Sequence, residues 1–250
     1  VAEVGGLLMT TQWTGLINEP GIQIERPPLW TIGIATLASR REKLARLLAV
    51  LLPQCEADGR VEVLGFWDNG ERSLAVKRQA TLEQARGLYV SFFDDDDLPD
   101  PEYVPLITAA MTGLAEGTAA SRPDYIAFEH AYYVSGVRQP VRIITGLEFG
   151  EWADDPAAGM LYRGVTQVNP VIAAAAKRAD FRARSLGAED WSYVCQVAPL
   201  LKTQARVEKV LYHYFHDPAD SNQYQLAPHA PYPRLEVASP CFRWIDEESP

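Results

Sequence analysis

Leu88-Tyr89-Val90-Ser91-Phe92-Phe93-Asp94-Asp95-Asp96-Asp97 is the stretch on which the reading of this chain turns. Residues 88–93 are apolar and β-rich, which predicts a buried strand, and four aspartates follow without a break. Alternation in an extended segment would send Asp94 and Asp96 one way and Asp95 and Asp97 the other. Carboxylates crowded like this repel one another unless a cation offsets them. Their oxygens suit hard ions such as Mg2+ or Mn2+. The ordinary reading of an Asp run is a solvated loop or helix start, and the strand leading straight into this one argues against it. A calcium loop of the EF-hand type is excluded because no glycine stands at the sixth position.

The elements around this stretch supply its setting. Trp30-Thr31-Ile32-Gly33-Ile34-Ala35 reads as a buried strand. Ser39 and Glu42 form a capping box ahead of a helix with Leu44, Leu47, Leu48, Leu51 and Leu52 at helical spacing, ended by Pro53. A strand over 61–67 leads to Asp68-Asn69-Gly70, and a helix over 73–86 stops at Gly87. Beyond the aspartates, Pro99 and Pro101 open a helix with Tyr103, Leu106, Ile107 and Met111 facing inward. Strands follow at 125–134 and 141–145, then a loop carrying Glu148, Glu151, Trp152, Asp154 and Asp155. Helices are expected over 170–178 and 189–201, the second with Trp191, Val194, Cys195 and Ala198 on one face, and a last strand over 206–215. The β-α-β-α-β order implies an α/β fold, a Rossmann-like and mostly parallel central sheet with helices on both faces. In such sheets ligands bind beyond the carboxyl ends of the strands, where the aspartates begin.

Composition narrows the function classes. The 250 residues carry 33 acids against 23 bases, a net charge of −10 that argues against holding nucleic acid through global charge. Arg40, Arg41, Lys43 and Arg46, or Lys177, Arg178, Arg182 and Arg184, would be local exceptions. A hydrophobic content of 47% suits a globular chain. No apolar run approaches the roughly 20 residues of a membrane helix, so no transmembrane segment is expected. The opening residues carry no basic region followed by an apolar stretch. Cys55, Cys195 and Cys241 form neither a disulfide framework nor a zinc spacing and read as buried and inert. A cytoplasmic setting is the expectation. Residues 1–28 read as an irregular lead-in, 29–222 as one domain, and 223–250 as a Pro-rich tail.

The segment Lys77-Arg78-Gln79-Ala80, then Ala85-Arg86-Gly87-Leu88 running into Asp94-Asp95-Asp96-Asp97, resembles the nucleotide-sugar half of family 2 GT-A glycosyltransferases. Those enzymes read Ala-Arg-Asn, a helix, an apolar strand, then Asp-x-Asp; Arg78-Gln79 takes the Arg-Asn place and Asp94 and Asp96 the two Asp places. Thr31 to Arg40 is similar to the family's first strand and base-contacting turn, although Ala35-Thr36-Leu37-Ala38-Ser39 departs from the usual wording. Asp68-Asn69-Gly70 resembles the second acidic turn at the base. Asn169-Pro170, Lys177-Arg178, Phe181 and Gly187-Ala188-Glu189-Asp190-Trp191 resemble the acceptor-side segment with its Glu-Asp motif. Tyr212 to His216, with Ser221, resembles the closing strand and loop. The likeness would divide the domain into a nucleotide-sugar half over about 29–134 and an acceptor half over about 135–222.

The resemblance implies a metal-dependent hexosyltransferase of GT-A fold, moving a sugar from a nucleotide diphosphate sugar, a UDP-sugar by family frequency, to an acceptor hydroxyl with inversion. It implies donor contacts from Ala35, Thr36, Arg40, Asp68, Asn69, Arg78, Asp94 and Asp95. Mn2+ or Mg2+ would sit on Asp96 and Asp94, with His216 as a further ligand. Asp190 would be the general base, with Glu189 orienting it. Asp95 and Asp97 would be reserve ligands, and Trp152 or Trp191 would stack on a sugar. Lys77 and Arg78 would reach the diphosphate if they do not simply face water from an exposed helix. The acceptor stays open among a glycan, a protein, a small molecule and a modified DNA base. Two rival readings are a non-catalytic nucleotide- or sugar-binding relative and a phosphoryl-transfer enzyme using the Asp run.

Overall fold

The computed structural model describes residues 27–113, 122–150, 153–155, 157–183, 189–218 and 234–245. Glu151, Trp152, Arg184, Gly187, Ala188, Ser221 and most of the lead-in and tail lie outside them. The elements run β1 (Trp30–Leu37), α1 (Arg41–Asp58), β2 (Val61–Asp68), α2 (Leu74–Gln84), β3 (Tyr89–Asp94), β4 (Leu98–Pro99) and α3 (Tyr103–Thr112). They continue with β5 (Tyr125–Val134), β6 (Val137–Thr145), β7 (Ala153–Asp155), β8 (Met160–Arg163), β9 (Val171–Ile172), α4 (Ala173–Ala176), α5 (Glu189–Val197), β10 (Gln204–His216) and β11 (Phe242–Trp244).

One sheet carries the strand order β11-β2-β1-β3-β9-β5-β6-β8-β7, and β10 pairs with β5 and β4. Side-chain alternation on β3 explains its two cores. Tyr89 and Phe93 pack with Trp30, Leu44, Leu47, Tyr103 and Ile107 against α1 and α3. Val90 and Phe92 pack with Leu82, Phe181, Tyr193 and Val197 against α2 and α5. Helices therefore cover both faces, as the β-α-β pattern requires.

The sheet is mixed, and its longest pairings, β10 with β5, β1 with β2 and β1 with β3, are parallel. β11, β2, β1 and β3 run parallel, but β9 is antiparallel to β3 and β5, and β6 is antiparallel to β5. The reversal at β5–β6 is local. Ser135 and Gly136 both adopt positive φ, 46° and 79°, the two-residue turn that matches strand twist in a hairpin. It lengthens the expected strand over 141–145 to Val137–Thr145.

Four further expectations are corrected. Pro53 lies inside α1, which runs on to Asp58. A helix-interior proline costs about 3 kcal/mol, and burial of Leu51, Leu52 and Cys55 around it outweighs that. The capping box at Ser39 and Glu42 does not form; Ala38–Arg40 is a 3-10 turn with no side-chain cap, leading directly into α1. The helix over 170–178 is only the single turn α4, because Val171 and Ile172 are taken into the sheet as β9. On α5 the inward face is Glu189, Ser192, Tyr193 and Val197. Tyr193 stacks on Phe181 at 4.5 Å, which turns Trp191 and Cys195 outward.

The C-terminal segment is not wholly irregular. β11 adds to the edge of β2, and Gly65 makes room for it: a Cβ there would stand 2.5 Å from the Trp244 ring.

Candidate functional site

β1, β2 and β3 end level with one another. Ala35 pairs with Asp94, and Leu37 pairs with Asp68. The turn after β3 then departs from strand alternation, since Asp97 N donates to Asp94 O at 3.1 Å. Asp94 therefore points to α2, while Asp95 and Asp96 both meet Arg40.

The cations come from the chain itself. Arg78 NH2 donates to Asp94 Oδ1 at 2.6 Å and NH1 to Glu189 Oε1 at 3.2 Å. Arg40 NH2 sits 2.6 Å from Asp95 Oδ1 and 2.5 Å from Asp96 Oδ2. Arg46 NH2 donates to Asp96 O at 2.8 Å, and Lys43 lies 3.9 Å from Asp96. Arg40, Lys43 and Arg46 of the basic group expected as a local patch are thus turned to the aspartates. Lys77 and Arg78 are buried rather than solvated. Lys77 Nζ bonds Asp68 and donates to Thr36 O at 3.0 Å, and Thr36 Oγ1 donates to Asp95 Oδ2 at 2.6 Å.

Burial dominates the electrostatics. It lifts the Asp95 carboxyl to about 6, against the pull of Arg40 and Thr36. It pulls the Lys77 ammonium below its ordinary value in spite of Asp68. At Arg40 burial works against the charge, yet Asp95 and Asp96 more than offset it and leave the guanidinium above its usual value.

Asp97 is a structural anchor rather than a reserve ligand. It is fully buried and accepts from Tyr212 Oη at 2.5 Å and Phe215 N at 2.7 Å. The Tyr212 ring meets His130 at 5.1 Å, and Phe128 meets His130 at 5.2 Å. Among the described residues His130 Nε2 has no hydrogen-bond partner, and burial drives the imidazole from 6.5 to about 3. The unfolded chain therefore binds a proton between pH 6.5 and 3 that the folded one does not. His130 thus removes stability as pH falls through that window, by about 1.4 kcal/mol per unit at most. Urea unfolding of His130→Phe at pH 7.5 and 4.5 should show a smaller acid loss than the parent; equal losses would refute this account.

On α5, Glu189 is buried on Arg78, while Asp190 is half-buried and accepts from Trp191 N at 2.7 Å. Among the described residues Asp190 makes no ion pair. It borders a cavity of about 50 Å3 with Val165, Thr166, Gln167, Trp191 and Val194. Trp191 is 45% exposed beside it. Among the described residues Asn69 Oδ1 is buried without a hydrogen-bond partner at the end of β2.

Among the solved structures, S. aureus TarS 1–349 superposes with a TM-score of 0.52 at 16% identity, over 74% of this chain and 60% of that chain. TarS 1–349 in complex with UDP gives 0.54 at 16% identity, over 78% and 62%. The complex with UDP-GlcNAc gives 0.51 at 16% identity, over 75% and 58%. The fold is glycosyltransferase-like. This chain spans about three fifths of the length of these structures. No family model matches the sequence, and no curated protein matches it.

Within this glycosyltransferase-like fold, Ala35, Thr36, Arg40, Asp68, Asn69, Arg78, Asp94, Asp95 and Asp96 share one end of the parallel strands. Glu189 is tied in through Arg78. His216 ends β10, its carbonyl accepting from Ser135 N at 2.9 Å. Among the described residues no three His, Cys, Asp or Glu side chains gather as a metal site. Lys43 and Arg46 also reach Asp96; their places three and six residues after Arg40, at the start of α1, are the signal in the sequence.

No helix among the described residues is long and apolar enough to cross a membrane.

Proposed function

We propose that this chain is a family 2 GT-A glycosyltransferase that moves a sugar from a nucleotide diphosphate sugar, a UDP-sugar, to an acceptor hydroxyl. One observation carries the reading: acidic and basic side chains from β1, β2, α2, β3 and α5 converge at the carboxyl ends of parallel strands, where α/β sheets bind ligands. Asp68 and Asn69 would face the base, and the bare Asn69 Oδ1 is an acceptor that an N–H of the base can fill. Asp94 would take the ribose. Arg40 and Arg78 would swing part of their charge from the aspartates to the diphosphate, which has the geometry a guanidinium fork recognises.

The donors present can be weighed against a divalent cation. Asp94 and Asp96 offer carboxylate oxygens, the ligands of hard ions, but each already meets a guanidinium. This set fits an ion held by one or two protein carboxylates and completed by phosphate and water, as Mg2+ is. It does not form a full protein cage. When bound at Asp96 and Asp94, Mn2+ or Mg2+ would neutralise the charge that develops on the departing diphosphate. Asp190 would accept the proton of the attacking hydroxyl, and attack from the face opposite the diphosphate would invert the anomeric carbon. Glu189 would hold Arg78 against the donor side.

A thermal-shift screen of nucleotide sugars with and without Mn2+ tests the reading. A donor at 100 times its Kd should stabilise the protein by about 2.7 kcal/mol, a rise in Tm of roughly 5–10 °C at this size. Asp96→Ala should lose the ion-dependent part of that rise. If no nucleotide sugar raises Tm with any divalent ion, the proposal fails. Binding without turnover would leave the non-catalytic relative.

A further inference from the structure

The cysteines read as inert from the sequence include a facing pair. Cys55 lies on the last turns of α1 with no exposed surface. Cys241 stands just before β11 and is half-buried against the same apolar cluster. Cys241 packs against the apolar cluster that contains Cys55, and the two thiols shift one another's titration. Neighbouring contacts hold the segments together independently: Ser239 Oγ donates to Glu56 Oε1 at 2.6 Å, and Val63 N donates to Cys241 O at 2.7 Å. Ser239 Oγ also lies 3.2 Å from Cys241 Sγ.

We infer that Cys55 and Cys241 form a thiol–disulfide modification site whose oxidant is a low-molecular-weight disulfide, and whose closure staples the C-terminal strand to α1. Cys241 is the attacking group by exposure. The contact with Cys55 brings its thiol down to about 7 against burial, within the range of reactive thiols. Contact with Cys241 and burial push the Cys55 thiol up, which suits a group that reacts second. The Cys241 thiolate attacks one sulfur of the oxidant; its S–S bond breaks and one thiolate leaves to take up a proton. Cys55 then loses its proton and attacks the Cys241 sulfur, expelling the second thiolate. The two protein thiols are oxidised by two electrons to one disulfide, and the oxidant is reduced to two thiols.

The bond would brace the sheet edge that borders the donor site. Among the described residues β11 pairs only with β2, and Trp244 meets Trp67, the neighbour of Asp68, at 5.8 Å. The inference does not depend on the proposed sugar transfer, since it concerns thiols alone.

The test is incubation of the full chain with glutathione disulfide, followed by denaturing thiol titration, peptide mapping and intact mass. The three thiols should fall to one, Cys195, with a mass lower by two hydrogens and a linked pair of peptides containing Cys55 and Cys241. The oxidised protein should melt on the order of 10 °C higher than the reduced one. Cys241→Ser, at a half-buried position, should keep its fold and lose no hydrogens. A stable glutathione adduct on Cys241 with Cys55 still free, or no reaction at Cys241, overturns the inference. An unchanged Tm in a fully oxidised sample overturns the staple.

Discussion

Asp190→Asn should lower turnover of a nucleotide sugar by about 100- to 10,000-fold and leave donor affinity within about threefold. Two carboxylates open α5, and they meet different surroundings. Glu189 is buried and held by Arg78, so it has little freedom to take a proton from an incoming group. Asp190 is half-buried, is oriented by the Trp191 N–H, and borders the cavity beside Trp191. A helix N-terminus favours negative charge there. Asparagine keeps the shape and the backbone bond and removes the basic oxygen, so the loss should fall in kcat and not in binding. Donor hydrolysis by water supplies a rate before any acceptor is known, and calorimetry supplies the affinity. Retention of more than about a tenth of the rate would place the base elsewhere.

Arg78→Met should destabilise the fold by about 3 kcal/mol, the lower end for breaking a buried ion pair. Arg78 has 4% of its side chain exposed and is the cation between Asp94 and Glu189. Methionine fills part of the volume and leaves both carboxylates without it. Asp94 is 32% exposed, so water relieves part of the cost. Glu189→Gln in the Arg78→Met background should recover some of the loss, because it removes one of the two orphaned charges; a double-mutant cycle isolates that coupling. Arg78→Lys should not restore the parent, since an ammonium lacks the planar fork that spans two carboxylates. A loss below about 1 kcal/mol in urea unfolding of Arg78→Met would show that the bridge does not hold the strand end to α5.

Much of this site was legible in the chain. An apolar strand followed at once by Asp94–Asp97 places acids at a sheet end, because strand periodicity and chain order are both local in sequence. The internal arrangement was not legible. Alternation failed after Asp94 because the backbone turns there, and Arg40 collects Asp95 and Asp96 together. Lys77 and Arg78 stayed open between the diphosphate and water because a helix of mixed polarity gives no sign that its charged side meets carboxylates from β2, β3 and α5. Trp191 read as inward for a similar reason: the spacing on α5 permits more than one apolar face, and stacking of Tyr193 on Phe181 selects the other.

The sequence alone therefore determined the β-α-β-α-β order of the first half and the strand end where acids cluster, since turn residues, apolar spacing and β-rich runs act over a few neighbours. Only the tertiary structure decided which cation each acid meets, that Asp97 is an anchor on Tyr212, and that Glu189 is tied to Arg78 while Asp190 is not. Those outcomes depend on burial: a buried charge must find a partner from whichever element the fold brings within reach, and that element can be a hundred residues away.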